Sequence, residues 1–568
     1  MKLRTIFAAA LALSCNFEVA SAQEQAPPEG RLRIVASTPN LAALCREVGG
    51  KWVTVKSVWD GTGVAKRFRP PQEVIDEVEQ ADLYVAAGGR LAGTWEDGLT
   101  ENARKKLARP GVARFLDCGT IADLLAGGAE KGQKDALLSP SEPPADYLLD
   151  PYAGLLVAHQ VAAKLKLLQP KSWADFDENL RKFQSSLTEA MFGPQLSHEL
   201  SSHELWRLES SGQLNDFLKE KELEHAIGGW AAIRWKYPNR LIASAGLGWT
   251  YFGRRFDLKI RNLRGVHVAV DAEAFEQMLR YAGLEYAGGV VIVSGPEQRD
   301  RLARFCKTGR VQFAVCPPSV GPLAGAGDYV SLVGEIASAL ERSFRAMARD
   351  MVRQYRTIPP ALGVTFTEGD AEPLIEILND PDQKKLWACA IAGLAFIGSD
   401  AAFEAVRNFV EAPRNGEVGI SEFRALRAAP PYIGKMAWRN EKAYEFILAG
   451  IDEDFWEERV DWTHKMFTHD YIVKAQTGCT IHGLGACGRE DAWQRLDALL
   501  KRPESYYLDH YDNIIQACYY RWQIRKYGLS AFRLRVAGRD AWHEYRKTEE
   551  YLRLIELRRQ IKAKAAEE

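Results

Sequence analysis

Over the first third of the chain, short apolar runs alternate with amphipathic stretches. Leu32–Ser37 (LRIVAS) is apolar and reads as a strand. Asn40–Val48 places Leu41, Leu44, Cys45 and Val48 at helical spacing, and Gly49-Gly50 closes it, as glycine does at helix C-termini. Trp52–Val58 (WVTVKSV) alternates and is rich in β-branched residues, which predicts a strand. Pro71–Gln80 predicts a charged amphipathic helix, and Asp82–Ala87 (DLYVAA) a third strand closed by Gly88-Gly89. This β-α-β-α-β order predicts a parallel sheet with crossover helices.

Leu155–Leu168 and Trp173–Met191 carry apolar residues at i, i+3, i+4 spacing and read as long helices. The β/α rhythm then returns. Arg240–Ala245, Gly289–Val293 and Gln312–Cys316 read as strands, with helices at Phe275–Ala282 and Gln298–Cys306. Past about Arg345 the strand pattern stops and the chain reads as helix. The expected fold class is a two-lobed α/β protein with a long linking helix, followed by an all-α helical repeat domain. The expected boundaries are 31–165 for lobe 1, 166–192 for the linking helix, 193–345 for lobe 2 and 346–568 for the helical domain.

The helical part repeats itself. Trp387–Pro413 and Thr477–Pro503 align at an offset of 90 residues. Cys389 then meets Cys479, Ile391 meets Ile481, Gly393-Leu394 meets Gly483-Leu484, Gly398 meets Gly488 and Phe403 meets Trp493. Ninety is twice about 45, the length of a helical-pair repeat of the HEAT type. The pattern predicts an all-helical stack, with Ile391, Leu394, Phe403, Ile481, Leu484 and Trp493 in its core.

Composition changes little in this picture. The 568 residues are 46% hydrophobic and 26% charged, which suits several packed domains and excludes disorder or collagen. Lys and Arg number 74 and Asp and Glu 75, a net charge of −1. Such a balance gives no global field for nucleic acid. No apolar run reaches 18 residues, so no membrane-spanning helix is expected.

The N-terminus is an address. Lys2 and Arg4 precede the apolar core Ile6–Leu13, and Ala20-Ser21-Ala22 is an A-x-A cleavage signal. Residues 1–22 read as a secretory signal peptide and 23–30 (QEQAPPEG) as a polar tether. Export to the periplasm follows. Lipid anchoring through Cys15 is the alternative, although Ala12 stands where a bulky apolar residue is expected. Eight of the nine cysteines survive cleavage; in so long a chain they read mostly as small buried hydrophobes. A Cys306–Cys316 pairing is an open alternative.

Several motifs dissolve on inspection. Gly483–Gly488 fits G-x-G-x-x-G, but a helix pattern precedes it, whereas a nucleotide fingerprint follows a strand. His198 and His203 stand five apart, about 140° round a helix, and one metal could not take both. Cys479 and His482 align with Cys389 and Ala392, and a position that accepts Ala is not a required ligand. His464, His469 and Asp470 lie near Asp461 without a nucleophile. No G-x-S-x-G elbow or P-loop occurs, and no catalytic constellation emerges. Basic Gly253–Gly265 (GRRFDLKIRNLRG) reads as a solvated edge, with an anionic partner as the other reading.

Several motifs recur in a familiar order. These are LRIVASTPNLAALCREVGGKWVTVKSVWDG from Leu32, Pro70-Pro71 through Leu83, DYLLDP at Asp146–Pro151, and Met191-Phe192-Gly193. Gly228-Gly229-Trp230, WTYFGRRF from Trp249 and Pro317–Gly321 continue the series. Across roughly residues 30–345 the chain resembles the periplasmic solute-binding proteins of zinc and manganese ABC transporters. The resemblance implies two lobes joined by a long helix, with the solute in the cleft between them.

The family's metal ligands do not carry over. Lys66 stands at the first His, Asp146 at the second and Gly246 at the third, just before Trp249. Pro317 stands at the last acidic ligand. Only Asp146 keeps a donor, and a zinc site needs about four. Lys66, Arg67 and Arg69 add positive charge where a cation would sit. The expected cleft, formed by Lys66, Arg67, Arg69, Asp146, Gly246, Trp249 and Pro317, is therefore electropositive. It suits a small anionic ligand or a carboxylate-bearing protein partner, with Lys66 and Asp146 expected to pair. The resulting expectation is a non-enzymatic binding protein without a metal or cofactor. It would have a possible transporter membrane subunit as partner and a protein partner on the helical repeat. The alternative is a working zinc or manganese receptor that uses His267, Asp271 or Glu297 as relocated ligands.

Overall fold

A computed structural model describes residues 30–61, 68–88, 94–109, 112–127, 147–246, 248–263, 271–282, 284, 289–306, 311–321, 327–354 and 366–500, with isolated positions beyond, Cys518 among them. The signal peptide, the tether and Cys15 lie outside these residues.

Lobe 1 is the βα alternation the pattern predicts. Its order is β1 (Leu32–Ala36), α1 (Pro39–Gly49), β2 (Val53–Ser57), α2 (Gln72–Gln80), β3 (Leu83–Ala86) and α3 (Thr94–Leu107). A two-residue hairpin, β4 (Ala108–Arg109) and β5 (Val112–Ala113), leads to β6 (Phe115–Asp117) and α4 (Gly119–Gly127). The main sheet runs β2-β1-β3-β6, all parallel. Thr38 caps α1 by accepting from Leu41 N–H, Pro39 opens it, and Gly50 (φ 51°) ends it. Gly50 adopts a conformation that a side chain would strain.

The linking segment is two helices. α5 (Pro151–Leu168) and α6 (Trp173–Phe192) are separated by a 3-10 turn at Pro170–Ser172. The expected linking helix, 166–192, thus begins inside α5 and is interrupted once. Pro170 explains the break, since proline cannot continue the ladder.

Lobe 2 opens with the short helices α7 (Pro194–Glu199), α8 (Ser202–Ser210), α9 (Leu214–Glu220) and α10 (Ala232–Lys236). His198 ends α7 and His203 begins α8, so the two rings do not share a helix. Then follow β7 (Leu241–Ser244), α11 (Thr250–Arg255), β8 (Lys259–Asn262), α12 (Ala272–Tyr281), β9 (Gly289–Val293), α13 (Pro296–Ala303) and β10 (Val311–Val315). This second parallel sheet runs β10-β9-β7-β8. The basic stretch splits in two. Lys259–Asn262 is an edge strand whose Lys259 and Arg261 are exposed, as a solvated edge would be; Arg254 is also exposed and donates to Leu125 O, but Arg255 turns inward to Asp150 and Glu209. Cys306 and Cys316 are separate thiols.

α14 (Tyr329–Gln354) runs through the boundary expected at 345. Beyond it the described chain is largely helical. α15 (Ala371–Asn379), α16 (Trp387–Ile397), α17 (Asp400–Glu411) and α18 (Ile420–Met436) are followed by α19 (Glu441–Ala449) and α20 (Glu453–Glu457). α21 (His469–Cys487) and α22 (Glu490–Leu500) complete the series. Two isolated bridges, Glu417 with Thr463 and His464 with Phe467, are the β pairing among the described residues there. The 90-residue offset recurs in the helix boundaries. α16 ends at 397 and α21 at 487, and α17 starts at 400 and α22 at 490, both offsets being 90. Gly398 (φ 68°) and Gly488 (φ 76°) close the first helix of each pair in the left-handed region. Ile391, Leu394, Phe403, Ile481 and Leu484 are buried, and Trp493 packs on the same core. The G-x-G-x-x-G glycines are therefore helix-packing positions. A Cβ on Gly483 would come within 2.6 Å of the Pro430 carbonyl of α18.

Candidate functional site

In an open parallel sheet, ligands sit beyond the carboxyl ends of the strands, where the strand order reverses. Here that places one crevice outside β1 and β3 in lobe 1 and another outside β7 and β9 in lobe 2.

The lobe 1 crevice is lined by Ser37, Ala87 and Glu96. Ala87 N–H lies 2.9 Å from Ser37 Oγ and 2.7 Å from Glu96 Oε1. Glu96, on the first turn of α3, is 1% exposed. Burial pushes its carboxyl above the usual range and nearby Asp117 adds to this, while bonds from Ser37 and the backbone oppose it. Sequence reasoning missed Glu96; an acidic residue in a helix's first turn normally reads as a solvated dipole partner.

In lobe 2, Gly246 N–H bonds Ser244 Oγ at 3.2 Å, and Ser294 N–H bonds Gln298 Oε1 at 2.8 Å. A Cβ on Gly246 would stand 3.2 Å from Ser294 Oγ, tight enough that the hydroxyl must give by a few tenths of an ångström. Trp249 is buried beneath, with its indole nitrogen 3.7 Å from that same Cβ position. Pro317 is buried just past β10. These groups are hydroxyl, amide and indole.

Direct bonds bring the lobes together. Asn40 Nδ2 donates to Pro318 O (3.1 Å), and Val320 N–H donates to Asn40 Oδ1 (2.9 Å). Tyr147 OH donates to Ala87 O (2.8 Å) and its ring meets Tyr251 edge-on at 6.5 Å. Tyr251 OH donates to Ala122 O (3.2 Å), and Arg254 donates to Leu125 O (2.6 Å). Deeper in, Asp150 accepts from Arg255 Nε (2.8 Å) and Nη2 (3.0 Å). Arg255 Nη1 also reaches Glu209 (3.0 Å), which Arg234 holds from its other side at 3.1 Å. Asp150 at the same time caps α5.

The other expected site residues are scattered. Lys66, Arg67, Asp146 and His267 lie outside the described residues. Arg69 is exposed and donates to the adjacent Phe68 carbonyl (2.8 Å). Asp271 is the N-cap of α12, accepting from Ala274 N–H at 2.8 Å. Glu297 is exposed on the first turn of α13. Among the described residues, no three His, Cys, Asp or Glu side chains gather closely enough to hold a metal ion. No described helix is long and apolar enough to cross a membrane.

Two parallel-sheet lobes, joined by helices, face each other at their strand ends. The family described as "Zinc-uptake complex component A periplasmic" (ZnuA) matches residues 34–191, which is lobe 1 and the linking helices. The chain resembles metal ABC transporter substrate-binding proteins. It is 24% identical over 189 residues to the manganese ABC transporter substrate-binding lipoprotein PsaA of Streptococcus mitis, covering 33% of this chain and 58% of that one. It is 26% identical over 161 residues to the manganese ABC transporter substrate-binding lipoprotein scaA of Streptococcus gordonii, covering 28% of this chain and 48% of that one. The chain thus spans about half the length of these relatives. Among solved structures, the metal-dependent lipoprotein YcdH of Bacillus subtilis aligns over 55% of this chain and 99% of its own, at 12% identity and a TM-score of 0.38.

Proposed function

We propose that residues 31–345 form an exported, non-enzymatic solute-binding protein whose cleft no longer takes a metal, and that the helical region is a HEAT-like interaction scaffold. The observation that carries this reading is the chemistry of the lobe 2 crevice. Gly246 and Pro317 stand where the related proteins' ligands are expected, and a Cβ at Gly246 would crowd Ser294 Oγ at 3.2 Å. The lobes meet instead through Asn40, Tyr147, Tyr251 and Arg255. In this reading Lys66, Arg67 and Arg69 face a small anionic solute or an acidic partner in the cleft. Lys66 and Asp146 pair where the metal would have bridged the lobes. A transporter membrane subunit remains the expected docking partner of the two-lobed part.

Native mass spectrometry of the protein purified from the periplasm tests this directly. The expected spectrum shows no stoichiometric metal. One equivalent of tightly held zinc or manganese would overturn the reading in favour of a metal receptor with relocated ligands.

A further inference from the structure

The turn between the two linking helices leaves a pair of large apolar side chains in water. α5 ends at Leu168 and α6 starts at Trp173, with the 3-10 turn Pro170–Ser172 between them. Leu167, on the last turn of α5, is 62% exposed, and Trp173 is 55% exposed. Lys166 lies 5.8 Å over the Trp173 ring, so the end of one helix and the start of the next form one surface. Pro170 and Lys171, both exposed, complete this tip. Leu165 and Phe176, just behind it on the two helices, are fully buried and hold it in place.

The tip lies at the amino ends of the lobe 1 strands. Lys51, just ahead of β2, stands 3.4 Å from Asp175 of α6. Asn179 Nδ2 of α6 donates to Val48 O at the end of α1 (3.1 Å). β1 starts beside β2, with Leu32 opposite Val53. The chain therefore enters lobe 1 at this same end, and the residues that read as export signal and tether, 1–30, directly precede it in sequence. Asp175 takes up Lys51 and Asp177 takes up Lys166. Among the described residues Arg31 and Lys171, both exposed, hold no carboxylate and give this end its positive excess.

We infer that this tip rests on the surface of an anionic phospholipid bilayer, with Leu167 and Trp173 at the depth of the headgroups. A Trp ring suits that depth because its body is apolar and its indole N–H is polar. Lysines beside it lay their stems along the apolar surface and keep their ammonium groups in water. Binding of this kind sums buried apolar area and attraction to anionic lipid. Two apolar side chains and two free cations make a weak, reversible contact, which needs a second attachment to persist. An amino-terminal segment held at the membrane supplies it at this same end, and raises the local concentration of the tip at the lipid surface. The inference rests on the exported part of the functional reading and not on what the cleft holds.

The test is flotation of the chain purified from the periplasm, with the absence of a lipid chain checked by mass. The probes are vesicles of mixed phosphatidylglycerol and phosphatidylcholine, against phosphatidylcholine alone. The expected result is binding to the mixed vesicles that salt weakens. Leu167→Gln, Lys171→Gln and Trp173→Gln together should weaken it roughly tenfold or more without moving Tm. Trp173→Phe should keep most of the binding, yet remove the part of the fluorescence that brominated lipid quenches. That single variant decides the matter if the triple one does not fold. No flotation, equal binding to phosphatidylcholine alone, binding unchanged in the triple variant, or quenching unchanged in Trp173→Phe would each overturn the inference. Binding lost instead on Ile420→Gln with Met466→Gln would also overturn it, by moving the contact to the helical region. Stoichiometric metal in the same preparation would defeat the remodelled-cleft reading and leave this one standing.

Discussion

Arg255 forms a bidentate pair with Asp150, joining the helix that follows β7 to the cap of the first linking helix. Desolvation opposes the charge on Arg255, but Asp150 and then Glu209 outweigh it, and its guanidinium is held charged. Glu209 is shared with Arg234, so two cations and two anions alternate in one buried chain. Such a network fixes the orientation of one lobe against the linking helices, because its inner members, Arg255 and Glu209, each hold two partners.

Removing one member leaves an uncompensated buried charge. Arg255→Met should cost about 3–5 kcal/mol, and Arg255→Met together with Asp150→Asn clearly less than the sum of the two single changes. Denaturant unfolding of the four species measures this. Additive effects would show that the pair is uncoupled.

Two buried carboxylates should respond to pH with opposite signs. Desolvation raises the Glu209 carboxyl, but Arg234 and Arg255 together bring it below its ordinary 4.5. Its contribution is present above about pH 4.5 and lost as pH falls through the folded value. Glu96 is raised above 4.5, chiefly by burial, so its contribution is present at low pH and lost as pH rises toward the folded value. Thermal melts between about pH 3 and 7 separate the two. Glu209→Gln should lose ground against wild type as pH rises, and Glu96→Gln should gain it. Parallel pH dependence of the two variants would contradict the assignments.

Much of this fold is legible in the order of residues. The strand Gly289–Val293 was expected to the residue because a fully buried parallel strand is a continuous apolar run, VVIV after a glycine. The 90-residue offset was legible because Gly398 and Gly488 must adopt positive φ at corresponding helix ends. Short β6 (FLD) escaped notice, since three residues carry no periodicity. Arg255 was misjudged for a different reason. Its sequence neighbours are basic and polar, and only the tertiary approach of Asp150 and Glu209, 105 and 46 residues away, makes burial favourable. The same holds for Glu96 and Asn40, whose partners come from other strand ends.

The helical pairs predict a graded response to added methyl groups. Gly398 closes α16 at φ 68° with no atom nearer than 3.8 Å to a built Cβ. Gly398→Ala therefore costs backbone strain alone, roughly 1–2 kcal/mol. Gly434 faces the Gly483 backbone carbonyl, 2.1 Å from a built Cβ, so two helices must separate. Gly434→Ala should cost more than Gly398→Ala, through the overpacking that adds about 1–3 kcal/mol in tight cores. Chemical denaturation of both variants checks the order; equal costs would mean that α18 and α21 do not approach this closely.

The helical region should move with lobe 2 as one body. Arg240, immediately before β7, is buried against Asp370, and Thr367 accepts from the same guanidinium at 2.6 Å. Asp370 is itself committed locally, accepting from Thr367 N–H at 2.8 Å in a capping box. Tyr237 OH donates to Gly369 O at 3.1 Å, and Arg345 of α14 holds Glu376 of α15 at 2.8 Å. Tyr237 and Arg240 precede β7 at its amino end, whereas Gly246 follows its carboxyl end. Asp370→Asn keeps the capping acceptor and removes the charge that balances Arg240, so the unpaired buried cation should cost about 3–5 kcal/mol. Hydrogen exchange should rise at both β7 and α15 in this variant, while β1 and β3 of lobe 1 stay as protected as in wild type. Faster exchange confined to α15 would show that the two bodies are joined through α14 alone.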